Sequence, residues 1–183
     1  MKIKDKRVVV TGAASGIGLA LCEEFYKSGA KSIVCVDMNE DGAKEIAKKV
    51  NGIAVAADVS IEQDIINVIE KSNEYSGGID IFCSNAGIGG TPMLLDTTSE
   101  EWNNTWGVNV MSHVHAARHV LPQMLERGEG CLIDRVCNNK IIVIELYFVR
   151  IHIQHHAHFP FFGCCGIRFK MIFINESVRL CTQ

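Results

Sequence analysis

Thr11-Gly12-Ala13-Ala14-Ser15-Gly16-Ile17-Gly18 is the stretch on which the fold turns. It follows Arg7 to Thr11, a short valine-rich run that reads as a buried strand ended by Gly12. It precedes Ile17, Leu21 and Phe25, with Ala20 beside them, which mark one face of a helix stopping at Gly29. A glycine-rich turn between a strand and a helix lets backbone approach a ligand closely, and the helix start offers free N–H groups.

Working outward, strand and helix signals alternate. Ser32 to Asp37 is a second apolar strand and Asp41 to Val50 a short charged helix. Ile53 to Ala57 is a third strand. Ile61 to Tyr75 carries Ile65, Ile66, Val68 and Ile69 at helical spacing. Ile79 to Cys83, set up by Gly77-Gly78, is a fourth strand. Trp102 to Arg127 is a long helix containing Pro122, and Cys131 to Ile133 begins a fifth strand. Strands that are apolar throughout belong in a parallel sheet covered on both faces. Strict alternation with helices implies a doubly wound α/β fold with right-handed crossovers.

The chain changes character near residue 133. Residues 1–133 hold 12 Lys+Arg and 18 Asp+Glu, a charge of -6, whereas residues 134–183 hold 6 and 3, a charge of +3. Twelve alanines precede the change and one, Ala157, follows it. Six of eight phenylalanines and four of seven histidines follow it. The expected organisation is a nucleotide-binding part over 1–133 and a divergent tail over 134–183. The net charge of -3 argues against a nucleic-acid partner. No stretch reaches the roughly 18 apolar residues of a membrane span. The scattered cysteines and the lack of a leader pattern predict a reducing, cytoplasmic setting.

Three further signals fall in order after successive strands. Asp37 ends the second strand 19 residues after Gly18, where a dinucleotide fold places an acid for the adenosine ribose hydroxyls. Such a carboxylate repels a 2′-phosphate, and no Lys or Arg in the loop attracts one, so NAD is favoured over NADP. Asp58-Val59 follows the third strand; Asp58 could accept the adenine amino group or cap the next helix, a task Ser60 also fits. Ser84-Asn85-Ala86-Gly87 follows the fourth strand, where small residues let backbone pass close to a cofactor, or simply form a turn.

Together these motifs resemble the short-chain dehydrogenase/reductase family. The family's TGxxxGxG loop matches at Thr11, Gly12, Gly16 and Gly18. The strand-end acid matches at Asp37, the Asp-Val pair at Asp58 and Val59, and NNAG appears as SNAG with Asn85, Ala86 and Gly87 retained. Asp80 matches the acid leading the fourth strand. Gly107-Val108-Asn109-Val110 matches the family's N-x-N-V run at Asn109, with Gly107 in place of the first Asn. The resemblance covers residues 5–133 and implies a Rossmann-type doubly wound parallel sheet in strand order 3-2-1-4-5-6-7. It implies hydride transfer between NAD and a secondary alcohol or ketone. Gly12, Ser15, Gly16, Ile17, Gly18, Asp37, Asp58, Val59, Asn85, Ala86 and Gly87 would bind the cofactor. Asn109, which holds a water in the family's proton path, would be the surviving catalytic match. Family members usually form dimers or tetramers through the long helix and the one after it.

The remaining catalytic residues of the family have no match. Cys137 lies near the expected Ser. Tyr147, the one downstream tyrosine, has Ile151 rather than Lys four residues on, and Arg150 is out of register. The run IIVIELYFVRIHI around it is strand-like. The tail's His152, His155, His156, His158, Cys164 and Cys165 fit zinc spacing poorly, and no metal is expected. The expectation is therefore a sheet truncated after its fifth strand, that strand an open edge that part of the tail, Ile141 to Ile153, could cover non-specifically, in an inactive chain. The alternative is a non-catalytic dinucleotide-binding or regulatory chain.

Overall fold

The computed structural model describes residues 2–89, 95–136, 140–148 and 167–174. Five parallel strands are present: β1 (Arg7–Thr11), β2 (Ser32–Asp37), β3 (Ile53–Ala56), β4 (Ile81–Ser84) and β5 (Glu129–Val136). They lie in the order β3-β2-β1-β4-β5. The reversal of direction in that order falls between β1 and β4, a switch point of the kind where α/β sheets bind ligands.

The pleat sorts the valines of β1 to opposite faces. Val8 and Val10 pack with Leu21, Cys22 and Phe25 of α1 (Gly16–Lys27) and with Ile46 and Ala47 of α2 (Glu40–Lys49). Val9 packs with Ile65, Val68 and Ile69 of α3 (Glu62–Ser76) and with Ala116, Val120 and Met124 of α5 (Ser112–Arg127). This two-faced burial is why the strands carry no polar alternation. Ile17 departs from the expected helical face. It is 39% exposed, because the first turn of α1 projects beyond the strand ends toward the ligand side.

The long helix is three segments in one run: α4 (Ser99–Trp106), a π-helical turn over Gly107–Met111, and α5. Thr98 and Glu101 form a reciprocal capping box at its start. At the far end of the sheet, Asp80 accepts from the Arg7 backbone N–H at 2.9 Å and from Arg7 Nε at 2.8 Å. Burial raises the Asp80 carboxyl, but the hydrogen bonds and charge of Arg7 outweigh it and hold the group below its ordinary value.

The expected open edge is covered, and by regular pairing of part of the Ile141–Ile153 stretch rather than non-specifically. β5 pairs antiparallel with β6 (Lys140–Phe148), from Val136↔Lys140 to Glu129↔Tyr147, and β6 pairs antiparallel with β7 (Ile167–Ile174). The physical reason is the connection. Three residues join β5 to β6, too few for the crossover a parallel strand needs, so the β-branched run Ile141–Ile144 folds back as a hairpin. Cys137, Arg150 and the tail's His152–Cys165 group lie outside the described residues.

Candidate nucleotide-binding site

A cleft of about 500 Å³ opens over the C-terminal ends of β1, β2 and β4. All eleven cofactor positions expected from the sequence line it: Gly12, Ser15, Gly16, Ile17, Gly18, Asp37, Asp58, Val59, Asn85, Ala86 and Gly87. Asn104 and Val108 complete the wall from the long helix. Sequence reading missed these two; their spacing of four on one helix, beside Asn109, was the available signal.

The glycine loop is closed by side-chain locks. Thr11 Oγ1 accepts from the backbone N–H groups of Asn85 at 2.9 Å and Ala86 at 3.0 Å. Asn85 Nδ2 returns a bond to the Thr11 carbonyl at 2.9 Å. The β4 loop is thereby drawn onto the β1 loop across the switch point. Two glycines permit that approach. A Cβ on Gly12, whose φ is +68°, would meet Ala86 Cα at 2.9 Å. A Cβ on Gly18 would stand 1.9 Å from the Gly12 carbonyl oxygen. Ser15 caps α1 without a side-chain hydrogen bond, and the first turn holds no acidic residue. The helix start therefore keeps its donors and its dipole for an anion.

Two carboxylates mark the cleft, and among the described residues no Lys or Arg lines it. Asp37 Oδ2 accepts from the Ala14 N–H and Oδ1 from the Asn39 N–H, each at 2.9 Å, so the acid is fixed against the glycine loop. Asp58 Oδ1 accepts from the Ser60 N–H at 2.9 Å and the Ser60 hydroxyl at 2.7 Å. Asp58 thus orders the turn into α3 as well as facing the cleft. Val59 faces the cleft and is also buried in the core beneath it.

Asn109 sits on the π-helical turn. Its Oδ1 accepts from the Ile88 N–H and its Nδ2 donates to the Ile88 carbonyl, both at 2.9 Å. The side chain braces the loop after β4, and Ile88 lines the cleft. Tyr147 is placed elsewhere. Its backbone pairs with Glu129 at the start of β5, five residues and about 16 Å from the strand's cleft end at Asp134. Cys83, behind the cleft, is held protonated by burial and by Cys131 and Asp134. Among the described residues no group of three His, Cys, Asp or Glu side chains could hold a metal. No helix among them is long and apolar enough to cross a membrane.

Sheet order, switch-point cleft and glycine loop define a Rossmann-type nucleotide-binding protein. The family description "short chain dehydrogenase" matches residues 6–138. The chain belongs to the short-chain dehydrogenase family of oxidoreductases. It is 36% identical over 135 residues to an uncharacterized oxidoreductase of Staphylococcus epidermidis, covering 73% of this chain and 58% of the relative. It is 38% identical over 138 residues to the uncharacterized oxidoreductase YvrD of Bacillus subtilis, covering 73% and 52%. The chain thus spans little more than half the length of these curated relatives. Among solved structures it resembles a 3-ketoacyl-(acyl-carrier-protein) reductase from Brucella melitensis complexed with NADH, with a TM-score of 0.66 and 36% identity over 69% of this chain and 53% of that one. It also resembles a short chain dehydrogenase/reductase from Burkholderia phymatum in complex with NAD, with a TM-score of 0.68 and 28% identity over 70% and 47%.

Proposed function

We propose that the chain binds NAD(H) in preference to NADP(H), and that its substrates are small secondary alcohols or ketones. The observation that carries the cofactor reading is Asp37. Both its oxygens are held by backbone donors beside the glycine loop, so the carboxylate cannot swing away from a 2′-phosphate. With Asp58 as the other charged wall and no cation among the described lining residues, a phosphate there would meet repulsion from both carboxylates. Ser15 and the α1 start would hold the pyrophosphate, Asp37 the adenosine ribose and Asp58 the adenine edge. NAD, when bound, supplies the two-electron exchange. The NADH- and NAD-bound solved relatives support the same assignment.

The family's Ser and Tyr-x-x-x-Lys have no match, and the pairing of Tyr147 with Glu129 supports reading it as a strand residue. Inactivity is proposed for that route: Tyr147→Phe leaves any turnover unchanged. The four buried thiols Cys22, Cys35, Cys83 and Cys131 suit a reducing, cytoplasmic setting. The cofactor reading is tested by titrating the chain with NADH and NADPH and following cofactor fluorescence. NADH binds more tightly, and Asp37→Ala narrows the gap. Equal affinities in the unmodified chain would remove Asp37 from its role.

A further inference from the structure

One ionisable pair at the strand ends is left unused by the cofactor reading. His113, in the first turn of α5, has Nδ1 3.1 Å from Asp134 Oδ1 in β5, and both side chains are 17% exposed. Neither residue belongs to a sequence motif identified above, and 21 positions separate them.

Their place in the fold is informative. Asp134 pairs in register with Ser84, the residue before Asn85 of the cleft wall. His113 lies about one helical turn after Asn109, whose side chain holds Ile88 of the same wall. The pair is thus next to elements that wall the β4 side of the cleft, one step behind the residues that line it. Asp37 marks the opposite side, on β2. With β2, β1, β4 and β5 in sequence and about 4.8 Å between strands, the pair stands roughly 14 Å from Asp37 across the strand ends. With the adenosine ribose on Asp37, the reacting end of a dinucleotide belongs on that far side.

The chemistry follows from the hydrogen bond. An ionised Asp134 accepts Nδ1–H, fixing the tautomer whose Nε2 carries the lone pair. A carboxylate holding one ring nitrogen so that the other can exchange a proton is the arrangement of a general base and acid. Nε2 has no hydrogen-bond partner among the described residues.

We propose that His113, held by Asp134, exchanges the proton with the substrate hydroxyl, the role for which the family's Tyr and Lys have no match in this sequence. The proposal rests on the NAD(H) reading. In oxidation of a secondary alcohol, the O–H proton passes to Nε2. The carbinol C–H bond breaks with its electron pair leaving to NAD+, and the C–O bond becomes a carbonyl. In reduction Nε2 returns the proton to the nascent alkoxide oxygen. Asp134 is the positioning residue.

The test uses the full chain with 15N-labelled histidine. The ring nitrogens of His113 show the Nδ1–H tautomer, which Asp134→Asn abolishes. Saturating NAD+ shifts the His113 resonances and leaves those of His119, bonded to Glu62 on the other flank of α5, in place. Oxidation of 1-phenylethanol with NAD+ falls by ~10² to 10⁴ in His113→Gln while NADH affinity is unchanged. NAD+ that binds without moving His113 overturns the proposal and leaves the cofactor reading intact. So does a wild-type chain without turnover, or a rate that His113→Gln leaves untouched. Failure of NADH and NAD+ to bind at all overturns both.

Discussion

The parallel strands β1–β5 and the antiparallel pair β6–β7 share one sheet but are built by different rules. Each of the first four parallel strands is followed by a helix that crosses over and buries one sheet face. Phe82, Val9 and Leu132 lie under α3 and α5, and Val10, Cys83 and Ile81 under α1 and α2. β6 joins through three residues and β7 through a pairing to β6. It extends the hydrogen-bond ladder and supplies β5 with an edge partner. The lesson is a division of labour. Among the described residues the cleft lining comes from the strands with crossovers and the segments that follow them, because those strands end in loops that converge on one side of the sheet. A hairpin returns its chain to the opposite end, as Tyr147 beside Glu129 shows.

The largest expected effect breaks the parallel region. Phe82 is fully buried at the centre of β4, between β1 and β5. Phe82→Ala should cost about 3–5 kcal/mol of unfolding free energy, from lost transfer energy and the cavity left behind. NADH binding should fall with it, since β4 leads directly into Asn85–Gly87. Urea unfolding followed by far-UV circular dichroism, paired with NADH fluorescence, reads both. A stable variant that loses the cofactor would show that the cleft depends on β4 more than the sheet does.

The next effect separates the two regions. Ile142 lies within β6, paired to Asp134 on one side and Phe173 on the other. Ile142→Pro removes a ladder N–H and should cost about 3 kcal/mol. NADH affinity should stay within about 3-fold, because the described residues that line the cleft all precede β5. An unfolding curve that does not move would mean that β6 does not pair with β5 in solution. A stability loss accompanied by complete loss of NADH binding would mean that the cleft is not independent of the hairpin.

The same division explains what could be read in advance. The five parallel strands are legible because burial on both faces leaves continuous apolar runs such as Val8–Val10 and Ser32–Val36. The crossover helices leave stripes such as Ile65, Val68 and Ile69. The cleft is legible because backbone approach demands glycine at Gly12 and Gly18, and because an acid is needed at a set place, Asp37. What the sequence hid is long-range or non-periodic. The Thr11–Asn85 lock joins residues 74 positions apart. The π-helical turn that presents Asn109 to Ile88 begins at Gly107, which packs close to Ser60, where a Cβ would stand 3.1 Å away. The hairpin was obscured because an apolar strand-like run states its preference for a sheet but not its direction.

A smaller loss is expected at the end of the sheet opposite the cleft. Asp80 closes the bottom of β4 onto β1 by accepting the Arg7 backbone N–H and the Arg7 guanidinium. Arg7 also reaches the Gly77 carbonyl at 2.7 Å, at the turn where α3 ends. Burial works against the charge on Asp80, yet the Arg7 bonds prevail and its folded-state carboxyl titrates below the ordinary value of 3.8. The sign of the pH dependence follows. A carboxyl depressed in the folded state contributes its full stabilisation above its unfolded pKa, and that contribution disappears as pH falls through the folded pKa. Stability should therefore drop on acidification below about pH 4, the ordinary range for Asp. Asp80→Asn keeps the shape but removes the charge, and should cost about 2 kcal/mol at neutral pH. It should also flatten the acid limb of the stability curve. NADH affinity at neutral pH should be unchanged, because Asp80 and the cleft occupy opposite ends of β4. Unfolding midpoints of both chains, measured from about pH 3 to pH 7, decide it. Parallel acid limbs would show that Asp80 carries no linked proton and that Arg7 is held by its backbone contacts alone.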